Sequence, residues 1–100
     1  MLGARRDHWN ERVQLLQLRF GDALIDLLPA EGPTPPRGLG MDHVCLSIRC
    51  DDLAAVAKTL KARGVDVDDE VRSRRGAWGV GPSIYIRDPD GYQIELKPRD

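Results

Sequence analysis

Residues 82–98, Pro82-Ser83-Ile84-Tyr85-Ile86-Arg87-Asp88-Pro89-Asp90-Gly91-Tyr92-Gln93-Ile94-Glu95-Leu96-Lys97-Pro98, read as two short strands joined by a tight turn. Polar and apolar residues alternate from Ser83 to Arg87 and again from Tyr92 to Lys97, the period-two pattern of a strand with one buried face. Between them, Asp88-Pro89-Asp90-Gly91 carries turn chemistry. Proline presets φ, aspartate bonds to nearby backbone, and glycine takes a positive φ without strain. The alternation assigns Ile84, Ile86, Ile94 and Leu96 to one face. Ser83, Tyr85, Arg87, Gln93, Glu95 and Lys97 fall on the other. A face with a carboxylate, a phenol and a cation at its centre is either solvated surface or the wall of a site.

The stretch has an earlier echo. Ala23-Leu24-Ile25-Asp26-Leu27-Leu28-Pro29 lies over Tyr92 to Pro98 without a gap, with Asp26 on Glu95 and Ile25 on Ile94. Ahead of it, Val13 to Phe20 is an apolar-rich run closed by Gly21-Asp22. Gln17 and Arg19 share one of its faces and Leu16 and Leu18 the other. Two hairpins with a carboxylate at the same place in the second strand point to an internal duplication. Residues 1–12 are polar and lack a period, so a short helix or a frayed arm is expected there.

Between the echo and the later half, Ala30 to Gly40 holds Pro33, Pro35, Pro36 and three glycines. Proline denies the chain both helix and ladder bonds, so this reads as a semi-rigid linker. From Met41 to Arg49 the alternation is clean, with Val44, Leu46 and Ile48 opposite His43, Cys45, Ser47 and Arg49. Asp51 or Asp52 then caps a helix, Leu53, Val56, Ala57 and Leu60 form its buried stripe, and Gly64 ends it. Val65 to about Val71 is expected to be an edge strand, given its aspartates. Arg72 to Gly81 is expected to be an arginine- and glycine-rich loop, whose arginines are ordinarily just solvated. The order from residue 42 is therefore β-α-β-β-β, a single α+β domain over residues 1–100.

Composition excludes several functions. A net charge of −1 and a pI near 6.1 leave no electrostatic footprint for nucleic acid or an anionic membrane. No apolar run approaches the ~20 residues of a membrane span, and no signal-peptide core stands at the N-terminus. Cys45 and Cys50 lie about 16 Å apart along an extended strand, too far to pair. A soluble protein of the reducing cytosol is the expectation.

His43 and Glu95 both fall on the polar faces of their strands. If those strands share a curved sheet, an imidazole and a carboxylate converge, a donor set for a borderline ion such as Mn²⁺, Fe²⁺, Ni²⁺ or Zn²⁺. The plainer reading is that each is an ordinary surface residue.

Asp42-His43-Val44-Cys45-Leu46 at the opening of the unit, with Gly81 to Leu96 at its close, resembles the vicinal oxygen chelate superfamily. That group includes glyoxalase I, extradiol dioxygenases and fosfomycin- and bleomycin-resistance proteins. The resemblance covers residues 41–98 as a complete βαβββ module and residues 13–29 as the N-terminal β-hairpin of an incomplete first one. It implies metal ligands at His43 and Glu95, with Asp26 as a further ligand that only some members use. It also implies cavity-facing, catalytic positions at Tyr85 and Glu95, and a divalent metal cofactor. The small-molecule substrate would present neighbouring oxygens to that ion. Only twelve residues precede the first hairpin, so the opening strand and helix of the first module are missing from the pattern. His8, outside any strand pattern, is expected to be solvated. The chain is accordingly expected to work as a homodimer. A metal-dependent lyase, isomerase or dioxygenase, a non-catalytic binding module of the resistance type and a purely structural member all remain open.

Overall fold

The computed structural model of the chain describes residues 3–29, 40–68 and 70–99. It falls into two compact units, 1–40 and 41–100. The linker expected at residues 30–40 lies outside the described residues except for Gly40.

The first unit is a three-stranded antiparallel meander of β1 (Arg5–Asn10), β2 (Leu15–Phe20) and β3 (Ala23–Leu27). The β2–β3 hairpin closes through the two residues Gly21-Asp22, with Phe20 opposite Ala23 and Gly21 at φ 59°. Strand β1 stands where a short helix or a frayed arm was expected. Its residues, Arg5 to Asn10, show no alternation of their own. They are held by backbone pairing to β2, with a register shift between Arg6 and His8, which illustrates how a partner strand overrides weak local preference. His8 thus sits in a strand, opposite Gln17.

The second unit is a mixed sheet with one helix. It contains β4 (Val44–Ile48), α1 (Leu53–Ala62), β5 (Asp66–Val67), β6 (Arg72–Gly76), β7 (Gly79–Arg87) and β8 (Gln93–Pro98). The strand order is β4-β8-β7-β5, and β6 also pairs with β7. Residues 72–76, expected as part of a loop, are strand β6. The single edge strand expected over 65–71 is only the short β5. Each covers a different half of β7, Asp66 and Val67 opposite Arg87 and Ile86, and Arg72 to Gly76 opposite Ser83 to Gly79. Together they form an interrupted second strand, so the α+β, βαβββ order is present. A polar run such as Arg72-Ser73-Arg74-Arg75-Gly76 gives no period-two signal, because neither of its faces enters the apolar core.

The β7–β8 turn behaves as its residues dictate. Asp88 Oδ1 accepts from the backbone N–H of Asp90 at 2.9 Å and of Tyr92 at 2.8 Å, and Gly91 N donates to Asp88 O at 2.9 Å. Gly91 takes φ 88°. The helix starts where Asp52 Oδ1 accepts from Ala54 N at 3.0 Å and Ala55 N at 3.3 Å, and it ends at Arg63 before Gly64, whose φ is 86°. Leu53 packs with Val67, Ile84 and Leu96 to form the core, flanked by Ile48, Ala57, Leu60, Ile86 and Ile94. Val56, expected in the same stripe, stays half-buried outside that cluster. With the apolar faces of β7 and β8 turned to the helix, their polar faces turn the other way and become the floor of the site.

Candidate functional site

Strand β8 runs through the middle of that floor. In register, Glu95 has Cys45 of β4 on one side and Tyr85 of β7 on the other. Cross-strand neighbours point to the same face, so parity alone places these three side chains in one row. Strands β4 and β8 are parallel, and His43, immediately before β4, therefore lies beside the row. Its Nε2 is 3.1 Å from Glu95 Oε1, and its Nδ1 is 2.7 Å from Asp42 Oδ2. The His43 ring meets Tyr85 edge-on, with centroids 5.1 Å apart and planes at 85°.

Glu95 is 6% exposed, and its second oxygen, Oε2, is buried without a hydrogen-bond partner among the described residues. An unsatisfied buried carboxylate oxygen is costly and calls for a donor or a cation. Burial by itself would raise the Glu95 pKa. The hydrogen bond from His43, the Ser83 hydroxyl and the charges of His43 and Lys97 outweigh burial and hold it below 4.5. In turn, the hydrogen bond to Glu95 lifts His43 above 6.5 against burial, and Asp42 adds to the effect. Burial, with the Glu95 charge, pushes Tyr85 above 10.0, so the phenol keeps its proton and remains a donor.

Three further residues build this face, and of these the sequence marks only Lys97, as a cation that could meet a substrate anion or be simply solvated. Lys97, two residues from Glu95 and on the same side, is buried. Its Nζ donates to Arg74 O at 2.5 Å and Gly81 O at 3.0 Å, tying β8 to β6 and β7. Burial lowers its pKa and Glu95 opposes that shift. Arg74 is not the solvated charge its neighbours suggested. Its Nη1 donates to Ser83 Oγ at 2.6 Å and Ser83 O at 3.3 Å, and its guanidinium carbon stands 4.4 Å from the Tyr85 ring centre. Ser83 itself is fully buried. Parity could have flagged Ser83 and Lys97, since both share the face of Glu95. Arg74 could not be found that way, because its strand carries no alternation.

Beside Tyr85 opens a cleft of about 540 Å³ lined by Asp68, Glu70, Arg72, Arg74 and Tyr85. A smaller hollow of about 230 Å³ between α1 and β5 contains none of the residues of the Glu95 row. Trp78 packs on Arg99 instead, with 3.9 Å from guanidinium carbon to ring centre.

The structure thus brings together His43, Glu95 and Tyr85. Asp26 lies in the first unit, exposed on β3 opposite Gln17. Among the described residues no group of three or more His, Cys, Asp or Glu side chains is placed to hold one ion. The His43–Glu95 pair fits a two-donor contribution to a divalent ion. One imidazole nitrogen and one carboxylate face each other, and Oε2 still lacks a partner.

Comparison with known proteins identifies the family. The family model described as Glyoxalase/Bleomycin resistance protein/Dioxygenase superfamily matches residues 2–96. A glyoxalase domain-containing protein of Mycosarcoma maydis is 36% identical over 83 residues, 79% of this chain and 47% of the relative. A probable lactoylglutathione lyase of Vibrio parahaemolyticus is 33% identical over 82 residues, 77% of this chain and 56% of the relative. The chain therefore spans about half the length of these curated relatives. A virulence protein of Salmonella typhimurium of known structure superposes with a TM-score of 0.52 at 28% identity, covering 99% of this chain and 79% of that one. With its βαβββ order and a family match running nearly its whole length, the chain belongs to the glyoxalase/bleomycin resistance protein/dioxygenase superfamily.

Proposed function

We propose that the second unit carries part of a divalent-metal site acting on a small molecule with two neighbouring oxygens, in a reaction of the lyase, isomerase or dioxygenase type. The observation that carries this reading is the 3.1 Å approach of His43 Nε2 to Glu95 Oε1 beside a buried, unpartnered Oε2. Imidazole and carboxylate together suit Mn²⁺, Fe²⁺, Ni²⁺ or Zn²⁺. A divalent ion bound there supplies Lewis-acid polarisation of the substrate oxygens. Glu95, kept ionised by its surroundings, contributes the negative charge. His43 must release the proton it shares with Glu95 before its Nε2 can act as a donor, so affinity for the ion rises with pH. Tyr85, which keeps its proton, donates a hydrogen bond from the floor. Asp26 is the candidate for a further ligand.

We also propose that the chain works as a homodimer in the cytosol. Among the described residues strand β4 ends its sheet, and Val44 and Leu46 beside that edge are 48% and 49% exposed. An unpaired edge with apolar flanks favours pairing with a second copy.

One observation favours a second reading. Both His43 nitrogens face carboxylates, so the pair satisfies itself as an ion-paired wall of a non-catalytic binding cup. Calorimetric titration of the metal-stripped protein with Mn²⁺, Ni²⁺ and Zn²⁺ separates the two. A saturable site lost in both His43→Gln and Glu95→Gln supports the metal reading. Equal heats in all three proteins would leave the cup. Light scattering at micromolar concentration decides the dimer, and a monomer that retains full metal binding removes it.

A further inference from the structure

We propose, resting on the metal reading above, that Asp42 is a positioning residue for His43, holding the ring proton on Nδ1 so that Nε2 is presented to the site as a donor.

A neutral imidazole carries one N–H, on either nitrogen, and the other nitrogen keeps a lone pair. Which nitrogen is left for an ion is set by the hydrogen bond that the other makes. His43 has a carboxylate at each end of its ring. Asp42 Oδ2 stands 2.7 Å from Nδ1, and Glu95 Oε1 stands 3.1 Å from Nε2. The two carboxylates therefore compete for one proton. The contact to Asp42 is the shorter and has the length of a charge-assisted bond. A proton on Nε2 occupies the lone pair that an ion needs. A proton on Nδ1 leaves that lone pair open beside Glu95, whose Oε2 has no partner among the described residues.

The surroundings give the two carboxylates different tasks. The Glu95 side chain is 8% exposed and that of Asp42 is 66% exposed. Glu95 stands in the floor of the site. Asp42 stands in solvent at the opposite edge of the ring, in the segment just before β4, and among the described residues no other acceptor reaches Nδ1. The third contact of the ring is the edge-on Tyr85. Without Asp42, water meets Nδ1, and the buried Glu95 carboxylate draws the proton to Nε2. An ion then has to displace that proton. With Asp42 in place the proton is kept at the edge where no ion is held. A carboxylate that orients a ligating imidazole in this way contributes about 10- to 100-fold in ion affinity. Water weakens the hold of an exposed carboxylate, so the lower end of that range applies.

The test follows the ring nitrogens by long-range ¹H–¹⁵N NMR in protein labelled at histidine. The chain has two histidines, so both rings are resolved, and His8 on β1 serves as the reference. In the metal-free protein, at a pH where the ring is neutral, the Nδ1–H share of His43 is expected to fall about fivefold in Asp42→Ala, the weight of one net hydrogen bond. It is expected to hold in Asp42→Asn, whose amide oxygen still accepts. On addition of Zn²⁺ to the wild type, Nε2 is expected to move to a metal-bound position while Nδ1 keeps its proton. Calorimetry should show Zn²⁺ bound about tenfold more weakly by Asp42→Ala and within about threefold of wild type by Asp42→Asn. Thermal melts confirm that both variants are folded. An unchanged tautomer share in Asp42→Ala, or Zn²⁺ on Nδ1, overturns the assignment. So does an asparagine variant that weakens Zn²⁺ as far as alanine does, because the charge of Asp42 alone would then account for the loss. A wild type that binds no ion but whose tautomer responds to Asp42→Ala sinks the metal reading and leaves the hold of Asp42 on the ring standing.

Discussion

The meander β1–β3 and the meander β6–β8 are built alike, yet only one buries its carboxylate. In both, the acidic residue lies in the third strand, Asp26 opposite Gln17 and Glu95 opposite Tyr85. Glu95 is 6% exposed and touches an imidazole, whereas Asp26 is exposed. The apolar faces differ in the same sense. Ile94 is half-buried against the core and Leu96 is 7% exposed, whereas their counterparts Ile25 and Leu27 are both 49% exposed. What separates the two is the β4–α1 element. It lays an apolar stripe on one face of the second meander and brings His43 to the other. A carboxylate at a given strand position becomes part of a site only when covering elements desolvate it and supply a partner.

The largest expected effect tests the covered face against the uncovered one. Ile84→Ala should destabilise the protein by about 3 kcal/mol in urea unfolding, the usual cost of a core cavity. Ile25→Ala should cost less than about 1 kcal/mol. Similar losses at both positions would show that the first face is also covered in solution.

Next come the carboxylates themselves. Glu95→Gln should weaken Mn²⁺ or Zn²⁺ binding by about 100-fold or more, at least the effect of losing a strong supporting partner. Asp26→Asn should weaken it only a few-fold. Equal losses measured by calorimetry would erase the distinction and make Asp26 a full ligand.

A smaller effect probes the tie that holds the second meander. A Cβ on Gly76 would lie 2.8 Å from Lys97 Cε. That lysine is buried and fixed at its Nζ, so Gly76→Ala should cost about 1–2 kcal/mol through overpacking. If the variant melts with the wild type, Lys97 is free to move and the tie is weak.

The smallest effect is a pH dependence in the metal-free protein. His43 is raised above 6.5 when folded, so its contribution to stability is complete below about pH 6.5 and fades as pH rises through the folded value. Glu95 is held below 4.5, so its contribution is present above 4.5 and fades as pH falls through its lowered value. The stability gap between wild type and His43→Gln should therefore be widest between these limits and shrink toward alkaline pH. A gap that grows above pH 7 would reverse the assignment of the pair.

Much of the second unit could be read from period-two alternation. Parity put His43, Tyr85 and Glu95 on one face and Ile84, Ile86, Ile94 and Leu96 on the other, because one face of those strands enters the core. The Asp88–Gly91 turn was legible because each of its residues acts locally. Strands β1 and β6 escaped notice for the opposite reason. Arg5–Asn10 and Arg72–Gly76 are polar runs whose structure comes from the neighbouring strand. The burial of Lys97 and Arg74 was equally hidden. A long cationic side chain is covered or solvated according to what folds over it, and here that depends on the β6–β7 pairing.

The parallel pairing of β4 with β8 has a consequence for the order of assembly. The β7–β8 hairpin joins residues close in the chain, whereas His43 and Glu95 are 52 residues apart. Loop closure makes such distant contacts slow relative to hairpins. During refolding the β6–β8 meander is expected to form first, as a nucleus without a complete site, and β4 to dock last. Amide protection in a quenched hydrogen-exchange pulse should appear at Ile86 and Ile94 before it appears at Leu46. Competence to capture an ion should arrive with the later phase. The site thereby reports on the final folding event of its own unit.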